Sequence, residues 1–137
     1  MVAERRNRGR VRVLVVDDDP LVRRLLQAVL ADGRYELFEA SDGVRAMQLA
    51  SANPPDVVIL DVMMPGVNGY EVCRALRADP RCHDARIVIL TARDTEEDRT
   101  EATTAGADAF FTKPFSPLEL LESVLGPTSR KDRSLAR

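Results

Sequence analysis

Five short apolar runs punctuate this chain: VRVLVV at 11–16, YELFEA at 35–40, DVVIL at 56–60, IVILT at 87–91 and AFFT at 109–112. Runs this short and this rich in β-branched and aromatic residues suit strands, whereas the stretches between them carry helical periodicity. Strands joined through helices cannot fold back as hairpins, so the alternation dictates parallel pairing. Four of the runs are dense in Val, Ile, Leu or Phe, as strands covered on both faces should be. YELFEA alternates instead and reads as an edge.

Pro20 suits a first helical position, and Leu21, Leu25, Leu26, Val29 and Leu30 follow at helical spacing. Ser41 or Asp42 is placed to cap a second helix, with Val44, Met47 and Leu49 inside and Asn53-Pro54-Pro55 ending it. A third runs from Gly69 to Ala78. The fourth, TEEDRTEATTAG at 95–106, has only Ala102 and Ala105 to bury, so it is expected to be the loosest element. The fifth spans Pro117 to Leu125. Short right-handed connections then predict an α/β fold, a five-stranded parallel sheet of order 2-1-3-4-5 with five helices on both faces, flavodoxin-like and doubly wound.

A chain of 137 residues, 45% hydrophobic, fits one domain with a real core. Its formal charge of −2 conceals a segregation, because residues 1–10 and 126–137 each carry +3 and the stretch between them carries −8. The expected organisation is a basic N-terminal arm at 1–10, a folded domain at 11–125 and a basic tail or linker at 126–137. Short terminal Arg clusters are read as solvated, so no direct nucleic-acid contact is expected of the domain. Cys73 falls on the apolar face of the third helix with Val72 and Leu76 and reads as core. Cys82 and His83 are adjacent, but nothing in the pattern orients them as a nucleophile pair. No run is long enough for a membrane span or a signal peptide, and the chain reads as cytoplasmic.

The strand ends carry the chemistry. Asp17-Asp18-Asp19 follow the first run, Asp61 the third, Thr91 closes the fourth and Lys113 follows the fifth. In an open parallel sheet the carboxyl ends of the strands share one edge, where ligands bind. Carboxylates gathered there repel one another unless a hard cation sits among them, and Mg²⁺ suits carboxylates, a backbone carbonyl and water in an octahedron. Asp61 is the better placed nucleophile for a phosphoryl group, giving an aspartyl phosphate once charge is neutralised. Lys113 offers a point charge for that purpose and Thr91 a hydroxyl. Met63 is expected to present its carbonyl to the metal, while its side chain packs at the pocket. Asp19, directly before Pro20, reads as a helix cap. The plainer alternative is that acidic residues merely decorate loops and cap helices.

With VLVVDDD, VVILDVMMPGVNGYEV, IVILTA and GADAFFTKPF in order, the chain from about 11 to 125 resembles the receiver domain of two-component response regulators. The resemblance implies that Asp61 is the phosphoacceptor, that Asp17 and Asp18 hold Mg²⁺, that Thr91 is the switch hydroxyl and that Lys113 contacts the phosphoryl group. It also implies a cis Lys113–Pro114 bond. Phe110 stands at the aromatic switch position, where Tyr or His is common, and brings no hydroxyl. Met63 and Arg93 fall at positions that tune phosphoryl lifetime.

Further implications concern partners. A sensor histidine kinase or phosphotransfer protein would dock on the first helix and the 113–118 loop, and a downstream effector would read the 94–125 surface, which also suits a homodimer. Such a protein is not an enzyme beyond catalysing its own phosphorylation and autodephosphorylation. Two rival readings stay open at this point. One is a haloacid-dehalogenase-like phosphatase, against which stand Pro20 and Leu21 in place of its Gly-Thr and the lack of an acidic motif after Lys113. The other is a degenerate interaction module that is never phosphorylated.

Overall fold

The structure, a computed structural model, describes residues 9–124. Most of the basic arm, Leu125 and the basic tail therefore lie outside the described residues. Strands β1 (Val11–Val16), β2 (Tyr35–Ala40), β3 (Val57–Leu60), β4 (Arg86–Thr91) and β5 (Ala109–Thr112) form one parallel sheet of order β2-β1-β3-β4-β5. The helices are α1 (Pro20–Val29), α2 (Gly43–Ala52), α3 (Gly69–Ala78), α4 (Glu96–Ala105) and α5 (Pro117–Val124). This is the expected doubly wound architecture, with YELFEA on one edge as its alternation predicts and AFFT, half-buried, on the other.

The two-residue period of the strands sorts the core into two layers. Leu14, Val16, Val58, Leu60, Ile87 and Ile89 face α2, α3 and α4, where Ala46, Ala50, Val72, Cys73, Leu76, Ala102 and Ala105 meet them. Val13, Val15, Val57, Ile59, Val88 and Leu90 face α1 and α5 through Leu26, Leu30, Leu120 and Val124. Consecutive residues of β1, β3 and β4 thus serve opposite layers, which is why these runs read as continuous apolar text.

Helix starts follow the capping chemistry. Asp19 accepts from the amide of Leu21, Asp42 from that of Arg45, and Thr95 from that of Asp98. Asn68 and Glu71 close a reciprocal capping box on α3.

Some apolar residues are not where periodicity alone would place them. Val44 is 59% exposed, and α2 packs through Gly43, Ala46 and Ala50 instead. Leu21 at 69%, Leu25 at 43% and Leu118 at 66% are also exposed, because the apolar stripes of α1 and α5 are wider than the strip of sheet they cover. The fourth helix has an anchor its composition hides. Asp98 is buried beside Ala102 and Ala105, and its carboxylate accepts from the Tyr70 hydroxyl of α3 at 3.1 Å and from the Thr95 hydroxyl at 2.6 Å.

Candidate functional site at the carboxyl edge of the sheet

The ladder of the sheet runs directly into the acidic residues. The amide of Asp17 donates to the carbonyl of Ala40 at 3.1 Å, and the amide of Asp61 donates to that of Val16 at 2.9 Å. Since β1 and β3 are neighbours, these bonds deliver two carboxylates side by side at one edge. Asp17 and Asp61 are buried, whereas Asp18 is exposed on the loop above them. One carboxylate oxygen from each of Asp17, Asp18 and Asp61 lies within 4.8 Å of the other two.

Lys113 enters from β5, its amide held by the carbonyl of Thr91 at 2.8 Å. Its ammonium donates to Asp17 Oδ2 at 2.8 Å and to Asp61 Oδ2 at 3.1 Å, so one cation bridges both buried carboxylates. The Lys113–Pro114 peptide is cis. Burial raises the Asp17 carboxyl above its ordinary 3.8; hydrogen bonds from Lys113 and the Asp19 amide pull it down, less strongly, and the Asp61 charge adds to the rise. Burial alone would lower the Lys113 ammonium, but its bond to Asp17 and the charges of both carboxylates outweigh that and raise it above 10.5. The pocket is therefore crowded with negative charge that one ammonium only partly offsets.

The loop after Asp61 is shaped by contact. Asp61 Oδ1 accepts from the amide of Met63 at 3.0 Å, which turns the chain back over the carboxylate. A Cβ on Gly69 would stand 2.5 Å from the carbonyl oxygen of Asp61 and 2.6 Å from Cα of Val62, so only glycine lets α3 begin against the backbone of Asp61. Thr91 is fully buried, its hydroxyl oxygen accepting from the Arg93 amide at 3.2 Å. Arg93 reaches on to Asp98 at 3.3 Å, and Met63 is half-exposed at the rim. Phe110 is half-buried, with the Arg99 guanidinium 4.7 Å from its ring centroid.

All the strand-end residues singled out in the sequence thus lie on or beside one edge. The Cys82–His83 pair does not join them. Cys82 is buried with its thiol pushed up to about 11, chiefly by burial, and His83 is exposed beside Asp84. A shallow groove between the start of α2 and the 65–67 loop is lined by none of Asp17, Asp18 and Asp61. Sequence reasoning passed over Arg23 of α1, whose guanidinium donates to the backbone carbonyl of Asp17 at 2.7 Å.

Chemically, three hard carboxylate oxygens this close suit a hard divalent cation of the Mg²⁺ type. The buried carboxylate of Asp61, beside an ammonium, suits attack on an electrophile that itself bears negative charge.

Residues 13–125 match the family model described as the response regulator receiver domain. Response regulator MprA of Mycobacterium sp. (strain KMS) is 49% identical over 111 residues, covering 81% of this chain and 47% of that protein. The DNA-binding dual master transcriptional regulator RpaA of Synechocystis sp. is 38% identical over 122 residues, covering 89% of this chain and 51% of RpaA. The chain spans about half the length of these curated relatives. Among solved structures, chemotaxis protein CheY4 of Vibrio cholerae superposes with a TM-score of 0.79 at 34% identity, covering 85% of this chain and 97% of that one.

Proposed function

The chain belongs to the response regulator receiver family, and from that membership and the geometry of its acidic edge we propose that Asp61 accepts a phosphoryl group in a Mg²⁺-dependent reaction. The observation that carries the proposal is the single ammonium of Lys113 bridging Asp17 and Asp61 within the three-carboxylate cluster. The family match supports this reading and not the phosphatase alternative.

In the proposed step a carboxylate oxygen of Asp61 attacks phosphorus. A P–O bond forms to Asp61, and the bond between phosphorus and the donor, a phosphohistidine nitrogen or an acyl oxygen, breaks with its electron pair returning to the donor. Asp17, Asp18, Asp61 and the Met63 carbonyl would hold Mg²⁺. When bound, the metal supplies neutralisation of the charge shared by the nucleophile and the incoming phosphoryl oxygens. Lys113, bonded to Asp17 and Asp61, supplies a second cation beside the carboxylate.

Phosphorylation adds roughly −1 to the charge Asp61 already carries, together with three strong acceptor oxygens. Lys113 and the Thr91 hydroxyl are then drawn toward the new oxygens. Thr91 leaves its present bond to the Arg93 amide, and Phe110 turns into the space released, which loosens its contact with Arg99. The 94–125 surface, made by α4, β5 and α5, is the element this shift biases. A complete reversal from 1:99 to 99:1 needs about 5.5 kcal/mol, so a partial population shift is expected.

On this reading residues 11–125 form the receiver unit, act in the cytoplasm and catalyse only their own phosphorylation and dephosphorylation. Met63 and Arg93, at the rim, tune the lifetime of the phosphoryl group. The donor is a sensor histidine kinase or phosphotransfer protein, docking on α1 and the 113–118 loop, where Leu21, Leu25 and Leu118 are exposed. The recipient of the signal is an effector domain or protein, or a second copy meeting the 94–125 face.

Intact mass after incubation with acetyl phosphate and Mg²⁺ tests the reading. One phosphoryl adduct is expected, absent from Asp61→Asn and from a metal-free control. An adduct that survives Asp61→Asn, or a folded wild-type chain that takes none from acetyl phosphate or from a phosphorylated kinase, overturns it.

A further inference from the structure

Asp17 is held at more points than its own chemistry requires. Its amide continues the β1–β2 ladder through Ala40, and its carboxylate is bonded by Lys113 and by the amide of Asp19. Its carbonyl is gripped separately by Arg23 Nη1 at 2.7 Å. That carbonyl belongs to the peptide joining Asp17 to Asp18, so its direction sets the direction in which both side chains leave the backbone.

Arg23 is itself held. Its amide closes the first turn of α1 on the Asp19 carbonyl, and its Nε donates to Glu39 Oε1 at 3.2 Å. Glu39 sits on β2 opposite Val15, and its other oxygen accepts from the Gln27 side-chain Nε2. The guanidinium therefore spans two anchors, a backbone carbonyl on one prong and an edge-strand carboxylate on another. A planar fork does this in a way that a single ammonium does not. Arg23 touches none of the three clustered carboxylates, and Glu39 balances its charge.

We propose that Arg23, oriented by Glu39, is a positioning residue that fixes the Asp17–Asp18 peptide so that both carboxylates face Asp61 in a geometry ready for a divalent cation. The inference rests on the metal-dependent reading of this edge given above. It gives α1 and the β2 edge a part in cation binding that the strand-end residues alone do not reveal.

Charge and geometry make opposite forecasts here, which renders the idea testable. If Arg23 acts as a nearby positive charge, its removal makes the pocket more negative and tightens Mg²⁺ binding. If it acts by position, removal weakens binding, by about 10- to 100-fold when a group supporting a ligand is lost.

The experiment is calorimetric titration of the full chain with Mg²⁺ for wild type, Arg23→Ala, Arg23→Lys and Arg24→Ala, with a thermal melt of each metal-free protein. The neighbouring Arg24 is exposed and reports the pure effect of losing a charge from α1. Arg23→Lys keeps charge and helix, so it remains informative if Arg23→Ala fails to fold. The expected result is weaker binding for both Arg23 variants, with Arg24→Ala at or slightly tighter than wild type. The rate of acetyl phosphate modification of Arg24→Ala is expected to stay near the wild-type value. Folded Arg23 variants that bind Mg²⁺ as tightly as wild type, or tighter, overturn the inference and leave the functional reading standing. A wild-type chain that binds no Mg²⁺ overturns both.

Discussion

At the scale of single residues, the acidic edge is built from positions whose surroundings leave little freedom. Gly69 is the sharpest case. Alanine is the better helix former by about 0.8–1 kcal/mol, yet a methyl at Gly69 would meet the Asp61 carbonyl oxygen at 2.5 Å. Gly69→Ala is therefore expected to destabilise the protein by about 1–3 kcal/mol, as overpacking does, and to disturb the Asp61 backbone; urea denaturation and Mg²⁺ titration check this. An unchanged or raised midpoint would show that α3 can slide away from Asp61 at no cost. The residues of this edge were legible as strand-end signals, because a parallel sheet gathers the ends of its strands whatever their separation in the chain. Arg23 was not legible. An arginine in the first turns of an amphipathic helix looks like ordinary solvated charge, and only the fold shows its guanidinium reaching back to the Asp17 carbonyl.

At the scale of elements, periodicity identified the strands and helices, since two- and 3.6-residue patterns are imposed by backbone geometry. What it did not convey is which helix faces stay uncovered. Val44, Leu21, Leu25 and Leu118 satisfy the helical spacing and are exposed all the same. The fourth helix shows the converse, a charged residue inside. Its apolar content of Ala102 and Ala105 suggests a loose element, but Asp98 ties it to α3 through Tyr70 and to the β4–α4 loop through Thr95 and Arg93.

Hydrogen bonds from Thr95 first, then from Tyr70, hold the Asp98 carboxyl below its ordinary 3.8, while burial and the shared bond push the Tyr70 phenol up to about 12. A depressed carboxyl pKa contributes stability that is present above the unfolded value and lost as pH falls through the folded one. Asp98→Asn is accordingly expected to lower the melting temperature at pH 7, with the gap to wild type closing once the pH drops below 3.8. A gap that persists at low pH would assign the effect to packing. Tyr70→Phe removes one hydrogen-bond donor and is expected to cost about 1 kcal/mol, with faster amide exchange confined to α4. Uniform exchange across the chain would contradict the anchoring role.

At the scale of the whole molecule, two packed layers on a five-stranded sheet hold one acidic edge at the carboxyl ends of the strands. Because the three carboxylates meet only in the folded chain, Mg²⁺ held among them is expected to stabilise the folded state, by about 2.7 kcal/mol at a hundred times Kd. Asp18→Ala is expected to erase that gain in thermal melts while leaving the metal-free melting temperature near wild type, since Asp18 is exposed. Equal Mg²⁺ stabilisation of wild type and variant would place the cation elsewhere. The most direct trial of the account is to locate the phosphoryl group itself. After acetyl phosphate and Mg²⁺ treatment, borohydride reduces an aspartyl phosphate to homoserine, and peptide mass mapping reads its position. Homoserine is expected at residue 61 alone, dependent on Mg²⁺. Homoserine at another aspartate, or modification that is indifferent to the metal, would contradict it.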